Sequence, residues 1–376
     1  MKLQKTSRIA LASVALLSTA LLFGSSRVCA DTAPGEAGAR VRSSGRLEQE
    51  AKSPAAAGAP AAVKVDPAFP SYRAVQGVSG AIKSVGSDTM NNLMTLWGES
   101  YKALYPSVTI EIEGKGSSTA PVALTAGTAT FGPMSRPMKD KEIDDFEKAF
   151  GYKPTVIETS IDMLAVYVHK DNPIASLTLA QVDAIFSSTR KGGAEKEIKT
   201  WGELGLTGEW ADKPISLYGR NSASGTYGYF KEHALFKGDF KDSVKEQPGS
   251  SSVVQGVASD RYAVGYSGIG YKTADVRAVP LAVNAKTKPV SAVSENAYSG
   301  EYPMARFLLV YLNVQPATEI DPLRREFVRY LYSRDGQEQV IKDGYIPVTP
   351  AIAKRNLEKL GLKFEPTVVE AGAGKR

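Results

Sequence analysis

Three times in this chain an extended apolar run breaks at small residues, passes through hydroxyl side chains and enters a helical pattern. The fullest case is Arg220-Asn221-Ser222-Ala223-Ser224-Gly225-Thr226-Tyr227. The strand-like 214–219 precedes it and the helical 227–236 follows. Val85-Gly86-Ser87-Asp88-Thr89 and Gly114-Lys115-Gly116-Ser117-Ser118-Thr119 repeat the order, each after a strand pattern and before a helix. The first backbone N–H groups of a helix lack partners and sit at the positive end of its dipole. Hydroxyls there, with an arginine beside them, make an anion site. A serine or threonine in this position is equally an ordinary N-cap. Three such turns in one chain favour a shared anion.

Around these turns strand and helix patterns alternate from Gly80 onward. Strands are expected over 81–85, 108–113, 129–134, 155–168, 214–219, 262–268 and 307–314, with helices between them. This succession predicts an α/β fold with mostly parallel sheet. Crossovers near Val166 and Tyr266 would divide it into lobe I (80–165 plus 267–366) and lobe II (166–266). A ligand held between two such lobes is enclosed when a hinge closes.

Of the 376 residues, 43% are hydrophobic and 23% charged, as in a soluble globular chain. The net charge of +6 is concentrated at one end. Residues 1–79 hold 10 Lys/Arg against 5 Asp/Glu, which leaves 36 against 35 for the rest. No basic patch argues for nucleic acid or a membrane surface. Residues 1–30 read as a secretory signal: Lys2, Lys5 and Arg8, then the apolar 9–23, then Val28-Cys29-Ala30. The single cysteine, Cys29, lies within it, and Arg27 makes a poor approach to a lipid-modification site. Export to a periplasm is expected. Residues 31–79, rich in Ala, Gly and Pro, are expected to form a disordered tether, and 367–376 a flexible tail.

The motifs Gly86-Ser87-Asp88-Thr89-Met90, Gly114-Lys115-Gly116-Ser117-Ser118, Phe131-Gly132-Pro133-Met134-Ser135-Arg136 and Arg220 through Thr226 occur in this order. Ala263-Val264-Gly265-Tyr266 and Gly344-Tyr345-Ile346-Pro347 follow. Together they resemble the phosphate-binding proteins of high-affinity phosphate ABC transporters, in the type II periplasmic binding protein superfamily, over about residues 80–365. The resemblance implies a two-lobed fold, inorganic phosphate as ligand and a membrane permease as partner. It also implies a monomer with no metal or cofactor. It places the ligand on Ser87, Asp88, Thr89, Ser117, Ser135, Arg136, Arg220, Ser224, Gly225 and Thr226. Where such proteins carry an aspartate that accepts the proton of hydrogen phosphate, this chain has Ser135 followed by Arg136, and Ser222 replaces a second aspartate. Asp88 then either supplies the acceptor or caps its helix. Arg136 is either a second ligand cation or the partner of a carboxylate such as Glu113. Tyr227 and Tyr229 are expected to pack against the sheet.

An enzyme reading has little support. His169 and His233, the two histidines, have no metal-ligand spacing, and Ser188-Thr189-Arg190-Lys191 lies in a polar loop. Sulfate or molybdate as ligand, or a scavenging or sensing role without transport, remain alternatives to the phosphate-transport reading.

Overall fold

The computed structural model describes residues 63–365. The expected signal segment, most of the tether and the tail lie outside the described residues.

In chain order the elements are β1 (Gly80–Val85), α1 (Asn91–Leu104), β2 (Val108–Glu113), α2 (Thr119–Thr125), β3 (Gly132–Met134) and α3 (Asp140–Phe150). Next come β4 (Thr155–His169), β5 (Leu177–Thr178), α4 (Leu179–Phe186), β6 (Ser216–Arg220), α5 (Gly225–His233), β7 (Lys245–Gln247), α6 (Ser250–Ser259) and β8 (Ala263–Gly268). The chain ends through β9 (Val276–Ala278), β10 (Leu281–Ala282), α7 (Ser294–Tyr298), β11 (Ala305–Leu312), α8 (Pro322–Leu331), α9 (Arg334–Lys342), β12 (Ile346–Pro347) and α10 (Pro350–Glu358).

The organising strand is β4, whose 15 residues are almost entirely buried. A strand covered on both faces reads as a continuous apolar run rather than an alternating one. Its first half, Thr155–Met163, pairs with β11, and its second half pairs with β8 and β9. It therefore belongs to both lobes. The sheet runs β3-β11-β4-β8-β6-β7, with β1 and β2 forming a parallel pair beside β3. The sheet is mixed rather than mostly parallel as expected: β1–β2, β5–β10, β6–β7 and β6–β8 are parallel, whereas β3–β11 and every pairing of β4 are antiparallel. All pairings of β4 are antiparallel, because the chain runs back along this strand each time it recrosses between lobes.

One core gathers Trp97, Tyr101, Leu308, Phe327 and Tyr345 in the first lobe. A second gathers Phe186, Trp201, Phe230 and Tyr266 in the second. Two expected boundaries differ from the packing. Val279, Leu281, Tyr302 and Met304 lie in the second core, and β10 pairs with β5. The segment 276–304, assigned from sequence to the first lobe, thus packs with the second, and the chain returns through β11. Residues 63–79 were expected to be tether. Instead Phe69 is fully buried, with its ring against Phe364. The Tyr72 hydroxyl meets that of Tyr105 at 2.6 Å, and the Arg334 N–H donates to the Pro70 carbonyl at 2.8 Å. Averaging the segment's composition hid a few large apolar residues that are enough to dock it.

Candidate functional site

The three glycine-hydroxyl turns meet. Ser87 follows β1, Ser117 precedes α2 and Ser135 follows β3, so adjacent strands of the first lobe deliver all three to one edge. Ser87 Oγ donates to Ser135 Oγ at 3.0 Å, and Ser117 and Ser135 Oγ lie 3.2 Å apart. The Ser135 N–H donates to Ser117 Oγ at 3.0 Å. All three serines are buried.

The start of α5 arrives from the second lobe. Ser224 is its N-cap, accepting from the Thr226 N–H at 3.1 Å and the Tyr227 N–H at 3.4 Å. The sequence reading of a cap therefore holds at this residue. A Cβ on Gly225 would fall 2.5 Å from Ser135 Oγ and 2.9 Å from Ser117 Cβ, with Ser117 Oγ closer still. No other residue could bring a helix start so near the serine cluster. Gly116, at φ +114°, has the Ala223 carbonyl where its Cβ would be, and the Ser118 N–H donates to that carbonyl across the cleft at 3.1 Å. Thr89 and Thr226 close the lobes further, their hydroxyls 2.9 Å apart.

Two arginines serve this region. Arg220 ends β6, buried, its Nη1 donating to Ser250 Oγ at 2.6 Å and its Nη2 3.1 Å from Asp88 Oδ2. Its Nε is buried without a hydrogen-bond partner in the protein. Such an orphaned charged donor fits a site that receives an anion. Burial lowers the Arg220 pKa; Asp88 opposes that shift and Arg306 adds to it.

Arg306, the second cation, was not foreseen. Its Nη2 donates to Thr226 Oγ1 at 2.9 Å and its Nη1 to the Ser135 carbonyl at 2.7 Å. It is held by Asp162, directly opposite in the β4–β11 register, with Nε and Nη2 reaching Oδ2 at 3.0 and 2.7 Å. Asp162 Oδ1 accepts from the Ile269 N–H at 3.0 Å. The guanidinium lies over the Tyr229 ring, 5.2 Å from its centroid. The available signal was a charge within each of two largely apolar strands, Arg306 in β11 and Asp162 in β4.

Two sequence expectations are corrected. Arg136 pairs with a carboxylate, but with Glu142 rather than Glu113: its guanidinium grips Glu142 at 2.7 Å through both terminal nitrogens, and its Nη2 also donates to Ser118 Oγ at 3.3 Å. Burial alone would raise the Glu142 carboxyl, but Arg136 and the Lys139 N–H hold it below its usual range. Glu113 instead pairs with Lys83 and Lys115. Asp88 does not join the hydroxyl cluster: its Oδ2 accepts from Ser250 N at 2.8 Å and Ser250 Oγ at 3.0 Å, beside Arg220. Tyr227 packs on Phe240, and the Tyr229 hydroxyl donates to the Ala305 carbonyl at 2.8 Å.

The result is a buried cluster of neutral donors between two lobes, with both arginines paired to carboxylates. It offers no activated nucleophile; among the described residues no group of three or more His, Cys, Asp or Glu could hold a metal. Such an arrangement can hold a small anion.

Relatives share this architecture. The family described as the PBP superfamily domain matches residues 71–335. The phosphate-binding protein PstS of Pseudomonas aeruginosa is 56% identical over 304 residues, covering 81% of this chain and 94% of its own. A substrate-binding protein ascribed to a phosphate ABC transporter of Clostridium perfringens, solved with bound phosphate, matches with a TM-score of 0.61 at 27% identity. That match covers 72% of this chain and 100% of the other. The ABC-type phosphate transport receptor of Vibrio cholerae has the same fold, at a TM-score of 0.55 and 23% identity over 71% of this chain and 100% of its own. The chain therefore belongs to the PBP superfamily and, within it, to the family of the phosphate-binding protein PstS.

Proposed function

We propose that this protein binds inorganic phosphate between its lobes in the periplasm and, as a monomer, delivers it to the membrane permease of an ABC transporter. The observation that carries the reading is the junction of Ser87, Ser117 and Ser135 with the start of α5, three buried hydroxyls against one helix N-terminus. A serine hydroxyl both donates and accepts. This cluster can therefore hold phosphate oxygens and also take the hydrogen bond from the proton that phosphate keeps at neutral pH. The guanidinium of Arg306, bonded to Thr226 Oγ1 and the Ser135 carbonyl, supplies positive charge beside the cluster, and the buried, unpartnered Nε of Arg220 is a further charged donor. Ser224, Gly225 and Thr226 contribute the helix start and the positive end of its dipole. The P. aeruginosa and C. perfringens relatives support phosphate as the ligand and an ABC transporter as the setting. The leader-like first thirty residues support export.

Calorimetric titration of the purified protein with phosphate, arsenate and sulfate tests this. Micromolar or tighter phosphate binding, about −8 kcal/mol or better, is expected, with arsenate competing and sulfate not. Tight sulfate binding, or no phosphate binding at millimolar concentration, would overturn it.

A further inference from the structure

Asp88 is a first-lobe residue whose side chain is spent entirely on the second lobe. It sits in the short 3-10 turn Asp88–Met90 after β1. Its Oδ2 accepts from the backbone N–H and the hydroxyl of Ser250, the first residue of α6, and lies 3.1 Å from Arg220 Nη2. Ser250 is buried, and Arg220 Nη1 donates to its hydroxyl at 2.6 Å. The carboxylate thus caps a helix of the opposite lobe and completes the ion pair of a cleft arginine. Gly249, the N-cap position of α6, has no side chain to cap its own helix. Ser222, in the loop after Arg220, is exposed and carries no charge. Both needs of the second lobe, a cap for α6 and a counter-charge for Arg220, are met by one carboxylate from across the cleft. First-lobe and hinge tyrosines hold the turn that carries it. The Tyr271 hydroxyl donates to the Asp88 carbonyl at 2.9 Å, and the Tyr345 hydroxyl to the Thr89 carbonyl at 2.7 Å.

We propose that Asp88 is a closure latch: it joins Arg220 and the start of α6 only when the lobes meet, and it sets how long the anion stays rather than which anion enters. The inference rests on the phosphate-binding reading above. In the separated lobes Arg220 keeps an uncompensated positive charge that attracts the anion. On closure Asp88 neutralises that charge, and the anion is held mainly by neutral donors. Removing the latch therefore leaves capture intact and speeds release.

The test uses the full chain loaded with radiolabelled phosphate and chased with unlabelled phosphate under rapid filtration, alongside calorimetry. Asp88→Asn should raise the release rate and Kd by roughly 10- to 100-fold, the worth of a lost charge-assisted contact set. The association rate should change less than about threefold, and sulfate should still fail to compete. Ser250→Ala, which keeps the carboxylate but removes one acceptor–donor link, should speed release by a smaller factor, and it carries the test if Asp88→Asn does not fold. Unchanged release in both variants, or sulfate competition appearing in Asp88→Asn, would overturn the latch, the second result because it puts the carboxylate against the ligand. Failure of the wild-type protein to bind phosphate would instead overturn the phosphate reading, and the latch with it.

Discussion

Gly225→Ala is the sharpest probe of the cleft, because it removes no donor and no charge. The added methyl would lie 2.5 Å from Ser135 Oγ and 2.9 Å from Ser117 Cβ, where ordinary contact begins at 3.4 Å. Rotating the serine hydroxyls aside does not relieve the clash, since Ser117 Cβ is fixed to the backbone. The start of α5 must therefore withdraw by about 1 Å, enough to stretch hydrogen bonds of about 2.9 Å past their useful range. If two of the α5 N–H or hydroxyl bonds to a charged ligand are lost, at about 1.5–3 kcal/mol each, affinity falls by roughly 3–6 kcal/mol. In Kd this is about 10²- to 10⁴-fold. Gly228→Ala, one turn along the same helix, is the control: its nearest neighbour would be Arg136 Cδ at 3.3 Å, and Ala favours a helix over Gly by about 0.5–1 kcal/mol in both variants. Calorimetric titration of both with phosphate, after thermal melts without ligand, decides the matter. If Gly225→Ala binds within threefold of wild type, the two lobes do not meet at this glycine when the anion is held.

Three further outcomes follow from the buried charges and the docked arm. Arg306→Gln should destabilise the protein by about 3–5 kcal/mol, because it strands Asp162 uncompensated in the interior, and adding Asp162→Asn should recover part of that loss; an additive double-mutant cycle would refute the coupling. Burial, with Asp162 nearby, pushes the Asp343 carboxyl up to about 7 from its ordinary 3.8, and one of its oxygens is buried without a partner. The folded chain then keeps a proton that the unfolded chain has lost between about pH 4 and pH 7, so stability falls as pH rises through that window. Because Asp343 is half-buried, Asp343→Asn should gain only roughly 1–2 kcal/mol at pH 8 and little near pH 4; equal gains at both would count against it. Phe69→Ala should cost about 3–5 kcal/mol, read by denaturant unfolding, whereas a segment serving merely as a tether would lose nothing measurable.

What the sequence made visible was local. A strand that ends in glycine and hydroxyls before a helix obeys rules of a few residues' range, so Ser87, Ser117 and Ser224 could be named without a fold. Arg306 and Asp162 are 144 positions apart and become partners only through the β4–β11 register. Neither was singled out in the sequence, and the strand expected over 307–314 began one residue past the arginine. A charge that interrupts a buried run is itself evidence, because isolated ions are not left in a core. Arg136 shows the opposite case: its partner Glu142 lies six residues on, within reach of a local reading, yet the resemblance drew the arginine toward the ligand. Asp88 joins the two cases. Its position after Gly86-Ser87 marked it as functional, but its role depends on where Arg220 and Ser250 arrive from the other lobe. Its carboxylate meets a fixed positive charge rather than the ligand. Placing it on the opposite lobe makes that neutralisation conditional on closure, which a partner inside the Arg220 loop would not do.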